Sequence, residues 1–321
     1  MVPFSKPVRG ATLYLMKGTQ GRASLEEGVV VLADGRQLAY AELGDPHGAP
    51  VIHHHGMPGS RLERLAESAF YASLGVRVIT PDRPGYGRSE PHPGGTLTDW
   101  ASDVAALADA LDIGRFGVTG LSGGGLYALA CAAAMPDRIT GVAMSGCPAP
   151  MDREGSARGM RPLSRIGVAL GREAPWALTS VTGLLSGTVR RFPGLFVQGA
   201  LRDKPEPDRK WLSLRWVKIE AESSLAEAFR NGAAGYARDL RLLSRPWGFA
   251  PADVMLPVSL WHGDLDTVIP LHHALYLAST LRRATLRICH GEGHMVMWSH
   301  LTEILTTAAG RSMENRLALA G

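Results

Sequence analysis

Short runs of β-branched and aliphatic residues recur along the chain, and helical patterns separate the later ones. Val29 to Leu32 and Gln37 to Glu42 flank Ala33-Asp34-Gly35-Arg36, and an Asp-Gly turn between two such runs predicts a hairpin. Val51-Ile52-His53, Val76 to Ile79, Phe116 to Thr119 and Ile139 to Met144 read as further strands. The clearest helix places Leu97, Trp100, Ala101, Val104, Leu107, Ala108 and Leu111 on one face, with Thr96 and Asp99 spaced as a capping box. From Cys147 to about Val254 the strand-helix rhythm lapses into a stretch rich in Arg, Pro and Gly that carries Trp176, Trp211, Trp216 and Trp247. Pro257 to Trp261 and Thr285 to Cys289 restore the strands, with a helical segment from Leu271 to Leu281 between them and a last helix from about Trp298.

This alternation predicts an α/β fold, a mostly parallel sheet flanked by helices, with an inserted and mainly helical cap. The expected divisions are an N-terminal extension over 1–28, a core over 29–146 and 255–310, a cap insertion over 147–254, and a C-terminal tail over 311–321. The cap falls between the sixth and seventh core strands of this reading, where an insertion opens onto the face carrying the strand ends.

Composition narrows the function classes. Hydrophobic residues make up 45% and charged residues 20% of the 321, within the globular range. The net charge of +4 is small and the basic residues are scattered, which argues against nucleic acid as a partner. Cys131, Cys147 and Cys289 are odd in number, far apart and without metal-ligand spacing, so they read as reduced and buried. Met1 to Arg22 lacks a continuous apolar segment of signal-peptide type and no later segment could span a bilayer, so a cytoplasmic enzyme is expected.

The sharpest chemical signal is Gly120-Leu121-Ser122-Gly123-Gly124, directly after a strand and before the helical run Leu126 to Ala134. A strand reversing into a helix at one residue strains that residue and exposes its side chain above the sheet, while the flanking glycines avoid collisions. A serine hydroxyl is a poor nucleophile near neutral pH and needs a histidine base, itself oriented by a carboxylate. His294 follows the last strand in Gly291-Glu292-Gly293-His294, and Asp264 and Asp266 follow the preceding one. The order Ser, Asp, His resembles that of α/β-hydrolases. The tetrahedral intermediate needs two backbone N–H donors; Gly123 supplies one, and Met57, in the Gly56-Met57-Pro58-Gly59 loop, is the choice for the other.

His53, His54 and His55 invite a metal reading, but alternate residues of a strand face opposite ways and no carboxylate or cysteine lies near in sequence, so no metal is expected. Gly123-Gly124-Gly125-Leu126-Tyr127-Ala128 fits a dinucleotide fingerprint, yet the next strand ends in Ser145-Gly146-Cys147 without the acid that binds a ribose. No cofactor is expected.

Taken together, His55-Gly56-Met57-Pro58-Gly59, Asp82-Arg83-Pro84-Gly85-Tyr86-Gly87-Arg88-Ser89 and the Gly120 to Gly124 elbow resemble, in order, the elements of capped α/β-hydrolases of the serine esterase type. The resemblance runs from about Val29 to Gly310. It implies a triad of Ser122, Asp266 and His294, because Asp266 stands in the Gly-x-x-Asp-x-x-Val/Ile-Pro spacing that carries the acid; Asp264 is second and Asp152 a distant third. It also implies that Asp82 is architectural. The similar proline iminopeptidases are disfavoured, because this chain has Leu121 and Gly123 in place of their Gly-Gly-Ser-Trp-Gly elbow, and haloalkane dehalogenases and epoxide hydrolases are excluded, because they carry an aspartate nucleophile where this chain has Ser122.

The expected activity is hydrolysis of an ester or related acyl bond of a small to medium apolar substrate through an acyl-enzyme, with a small-molecule acyl compound as the partner. The same scaffold also serves carbon–carbon hydrolysis, perhydrolysis and cofactor-independent oxygenation, and a ligand receptor without turnover is a reading of another class.

Overall fold

The computed structural model of the chain describes residues 12–16, 25–201 and 204–311. Strands β1 (Thr12–Met16), β2 (Glu26–Val31) and β3 (Gln37–Gly44) pair antiparallel in sequence order, the last two joined through the Asp34-Gly35 turn. The core continues through β4 (Ala49–His54), α1 (Ser68–Ser73), β5 (Val76–Pro81), α2 (Leu97–Ala110), β6 (Phe116–Leu121), α3 (Gly124–Ala134) and β7 (Ile139–Ser145). Helices α4 (Pro162–Glu173), α5 (Pro175–Arg191), α6 (Pro193–Leu201), α7 (Glu206–Ser213), α8 (Arg215–Ala228) and α9 (Ala234–Leu243) follow. The chain then returns to the sheet with β8 (Val258–Gly263), α10 (His272–Thr280), β9 (Ala284–Cys289), α11 (Val296–Ser299) and α12 (Leu301–Ala308).

Among the described residues nine strands lie in the order β1-β2-β3-β5-β4-β6-β7-β8-β9, with β4 to β9 all parallel. From β4 the chain steps outward to β5 and then back across to β6 on the other side of β4. The loops leaving β4 and β6 therefore emerge side by side at the carboxyl ends of the strands, the crevice where open α/β sheets bind ligands.

Both faces of the sheet are covered, and the strand alternation sorts side chains between them. Ile52 of β4 joins the cluster containing Trp100, Val104 and Leu126 from α2 and α3, whereas its neighbour Val51 joins the cluster with Tyr71, Met297 and Ile304 from α1, α11 and α12. α2 starts as its sequence predicts: Thr96 Oγ1 accepts from Asp99 N at 3.1 Å, and Asp99 Oδ2 accepts from Thr96 N at 2.8 Å. Each large apolar side chain it buries fully, such as Leu107, stabilises the fold by roughly 2 kcal/mol.

Two elements escape the sequence pattern. β1 lies inside the segment read as an N-terminal extension and adds a strand to the sheet edge, and α1 has only six residues, too few for a helical period to register. Between β7 and β8 the Pro-rich composition becomes intelligible, because Pro162, Pro175 and Pro193 each occupy the first position of a helix, where a missing N–H costs nothing. Among the described residues no helix is long and apolar enough to cross a membrane.

Candidate active site

Ser122 sits between the end of β6 and the start of α3 with φ of +52°, a left-handed conformation that costs a non-glycine residue of order 1–3 kcal/mol. Its N–H donates to Ser145 O at 2.8 Å and its carbonyl accepts from Gly125 N at 3.0 Å, so β7 and α3 both hold the turn. The flanking glycines are steric requirements: a Cβ on Gly124 would lie 2.0 Å from His54 O, and one on Gly120 would lie 2.7 Å from the backbone of Gly124 and Gly125. The residue is 9% exposed.

His294 follows β9 and turns its Nδ1 to Asp266 Oδ2 at 2.7 Å. Asp266 is the end of a short turn after β8, and its second oxygen accepts from Val268 N at 2.8 Å and Ile269 N at 2.9 Å. Burial favours the neutral acid, but the facing His294, the hydrogen bond from it, His262 and the backbone donors outweigh burial and hold the carboxyl below its ordinary value. The carboxylate therefore accepts, which assigns the proton to Nδ1 and leaves Nε2 as the base-competent nitrogen. Asp264 turns elsewhere, to His290 Nδ1 at 2.9 Å and Gly291 N at 2.8 Å, and Asp152 is exposed. Of the three candidate acids, Asp266 is the one brought to His294.

Loops from β4 and β6 meet at Met57 and Gly123: a Cβ on Gly123 would lie 2.6 Å from Met57 Cε and 2.7 Å from Met57 Cβ. Among the described residues, the backbone N–H groups of Met57 and Gly123 donate to no other group. The three consecutive histidines are each tied into the framework. His53 contacts Thr119 Oγ1 at 2.9 Å and Glu63 Oε1 at 3.0 Å, His54 donates Nδ1–H to Thr119 O at 3.0 Å, and His55 donates Nδ1–H to Gly56 O at 2.8 Å. Burial drives the His54 pKa down to about 3 and that of His55 well below the usual histidine range, so both rings are neutral struts.

Residues 49–301 match the family model described as alpha/beta hydrolase fold. The chain belongs to the alpha/beta hydrolase fold family. It is 30% identical over 282 residues to a non-heme chloroperoxidase of Streptomyces lividans, a match spanning 85% of this chain and 95% of that one. It is 32% identical over 244 residues to a pimeloyl-acyl-carrier-protein methyl ester esterase of Aromatoleum aromaticum, covering 72% and 85% of the two chains. Among solved structures an epoxide hydrolase from Vigna radiata superposes with a TM-score of 0.63 over 90% of this chain and 97% of that one, at 21% identity, a likeness of fold alone.

In this α/β hydrolase several residues that sequence reading passes over hold the site together. Asp208 of α7 is completely buried, and its two oxygens accept from His294 N at 3.0 Å and Met295 N at 2.9 Å. Gly293 packs so closely that a Cβ there would lie 2.3 Å from Asp208 Oδ1. Lys204 Nζ stands 3.8 Å from the same carboxylate, with burial lowering its pKa and Asp208 opposing that shift. Glu63 accepts from Gly56 N at 3.0 Å, and the buried Arg83 donates to the carbonyls of His55 at 2.5 Å and Gly56 at 2.9 Å. Arg83 is in turn neutralised by Asp239 of α9 at 2.6 Å. Asp82 accepts from Arg61 N and Nη1 and from Arg88 N, a structural role matching the expectation for it.

A cavity of about 540 Å³ lies between the helical insertion and the core. Its walls are mostly apolar, among them Leu170, Leu178, Phe196, Leu225 and Tyr236. It reaches the site at Pro58 and Met295, the neighbours of Met57 and His294; Ser122 and His294 are not themselves in its walls. Trp211 and Trp216 line a separate hollow with Phe70 and Trp298. Among the described residues one group has metal-ligating atoms within 4.8 Å of one another, Cys289, Glu292 and His300, where His300 Nε2 already meets Glu292 Oε1 at 3.0 Å and burial drives the thiol pKa up to about 11.

Proposed function

We propose that this chain is a serine esterase in which Ser122, His294 and Asp266 form the catalytic triad, with Met57 and Gly123 as the oxyanion donors. The observation that carries the reading is the 2.7 Å contact between His294 Nδ1 and Asp266 Oδ2, in an α/β hydrolase whose Ser122 occupies a left-handed turn at the end of β6. In this mechanism His294 Nε2 takes the hydroxyl proton as Ser122 Oγ attacks the ester carbonyl. Charge develops on the carbonyl oxygen, where the two free backbone N–H groups stabilise it. The alcohol leaves with the proton from His294, and water, activated by the same nitrogen, releases the acid. The domain boundaries belong to the same proposal: 29–146 and 255–310 as the catalytic core, and 147–254 as a cap whose cavity admits the apolar part of the substrate.

The esterase of Aromatoleum aromaticum, which the chain matches over most of its length, supports an ester as substrate. The full-length similarity to a chloroperoxidase favours one second reading, perhydrolysis, in which hydrogen peroxide replaces water against the same acyl-enzyme and yields a peracid. A panel of p-nitrophenyl esters of increasing chain length, with and without peroxide, separates the two. Ester turnover that disappears in Ser122→Ala is the expected result; near-normal turnover by that variant, or no turnover of any ester by the parent, overturns the proposal.

A further inference from the structure

The helical insertion presents apolar side chains that no described residue covers. Leu163, Trp176, Leu184 and Leu195, on α4, α5 and α6, are 80%, 76%, 84% and 63% exposed. Ile166, Val181 and Leu185 are exposed on the same helices and, with Leu163, also form walls of the 540 Å³ cavity, so the apolar surface continues from the outside of the molecule into its interior. Soluble monomers rarely display contiguous apolar surface of this kind without a use for it. Its charge is positive: Arg190 and Arg191 are exposed in the last turn of α5, and the one acid between residues 162 and 201, Glu173, is already paired with Arg172 at 2.7 Å.

We propose that this face of α4, α5 and α6 docks on an anionic lipid bilayer, with the cavity mouth turned toward the acyl region. Leucine and tryptophan side chains enter the boundary between headgroups and acyl chains, while guanidinium groups remain at the level of the lipid phosphates. A second copy of the chain fits this face less well, since a two-fold contact sets the same patch against itself and brings like charges together. For the substrate, the inference rests on the esterase reading and makes it an apolar ester partitioned into the bilayer. The docking itself does not depend on catalysis.

The test uses the full chain and sucrose-loaded vesicles, either phosphatidylcholine alone or phosphatidylcholine mixed with phosphatidylglycerol. Sedimentation is expected to bring down at least about tenfold more protein with the anionic vesicles, and high salt to reduce it. Leu184 and Trp176 are exposed and lie outside the cavity walls. The double variant Leu184→Glu with Trp176→Glu is therefore expected to keep its melting temperature and its turnover of a short water-soluble ester while losing about tenfold in vesicle binding. Arg190→Gln with Arg191→Gln is expected to weaken only the anionic-vesicle arm. The proposal is overturned if the parent does not bind anionic vesicles, or if the glutamate variant binds them unchanged. It is also overturned if ultracentrifugation shows a stable dimer that the glutamate substitutions dissociate, which makes a second copy the occupant. Failure of the esterase reading looks different: soluble-ester turnover is absent while vesicle binding persists.

Discussion

Asp208, on a helix of the insertion, holds the backbone of His294: one carboxylate oxygen accepts from His294 N at 3.0 Å and the other from Met295 N at 2.9 Å. The loop carrying the proposed base is thereby tied to α7 as well as to the sheet. Asp208→Ala leaves two buried N–H groups without partners, each worth about 1–3 kcal/mol. That variant is expected to melt at a lower temperature and to lose about tenfold or more in kcat, with a smaller change in KM, because misplacement of the base affects the chemical step more than binding. A thermal melt and a Michaelis–Menten comparison check it. Wild-type kcat in Asp208→Ala would remove Asp208 from the positioning of His294.

Asp266 and Asp264 stand two residues apart and serve different histidines, His294 and the exposed His290. On the proposed mechanism Asp266→Asn loses the acceptor that fixes the His294 tautomer, so turnover of one ester at saturation should fall by about four orders of magnitude. Asp264→Asn is expected to stay within a few-fold of the parent. Severe loss in Asp264→Asn beside an active Asp266→Asn would reverse the assignment.

Four histidines, His54, His55, His262 and His273, have pKa values lowered by burial, His54 and His273 to about 3. The folded state therefore keeps these rings neutral at a pH where the unfolded chain protonates them. Their contribution to stability is fully present above the unfolded value, about 6.5, and is lost progressively as pH falls below it, toward the folded pKa of each ring. Each such ring contributes a slope of up to about 1.4 kcal/mol per pH unit in that window. Urea unfolding at pH 7.5 and 5.0 should show a marked loss at the lower pH. Equal midpoints at the two values would mean that these rings take up protons in the folded protein as readily as in the unfolded chain.

The elbow around Ser122 and the loop carrying Met57 were readable in the sequence because each adjoins the end of a recognisable strand, whereas the choice of Asp266 over Asp264 as the partner of His294 came from the family resemblance. The parallel sheet and the capped start of α2 were readable from local patterns as well. Asp208 and Asp239 were not. They reach His294 and Arg83 across separations of 86 and 156 residues, and no periodicity within a helix announces what its buried carboxylate will meet. Tryptophan content does not locate the cavity either: Trp211 and Trp216 line a different hollow, while leucines and Phe196 line the larger one. Burial of an indole is common whatever its role.

The most direct measurement is covalent trapping. The purified chain is treated with a fluorophosphonate, digested, and the modified peptide mapped by mass spectrometry. A single adduct on Ser122, formed in the parent and absent from Ser122→Ala, is the expected result. Ester turnover by a chain that acquires no adduct, or an adduct on another residue that blocks turnover, would contradict it.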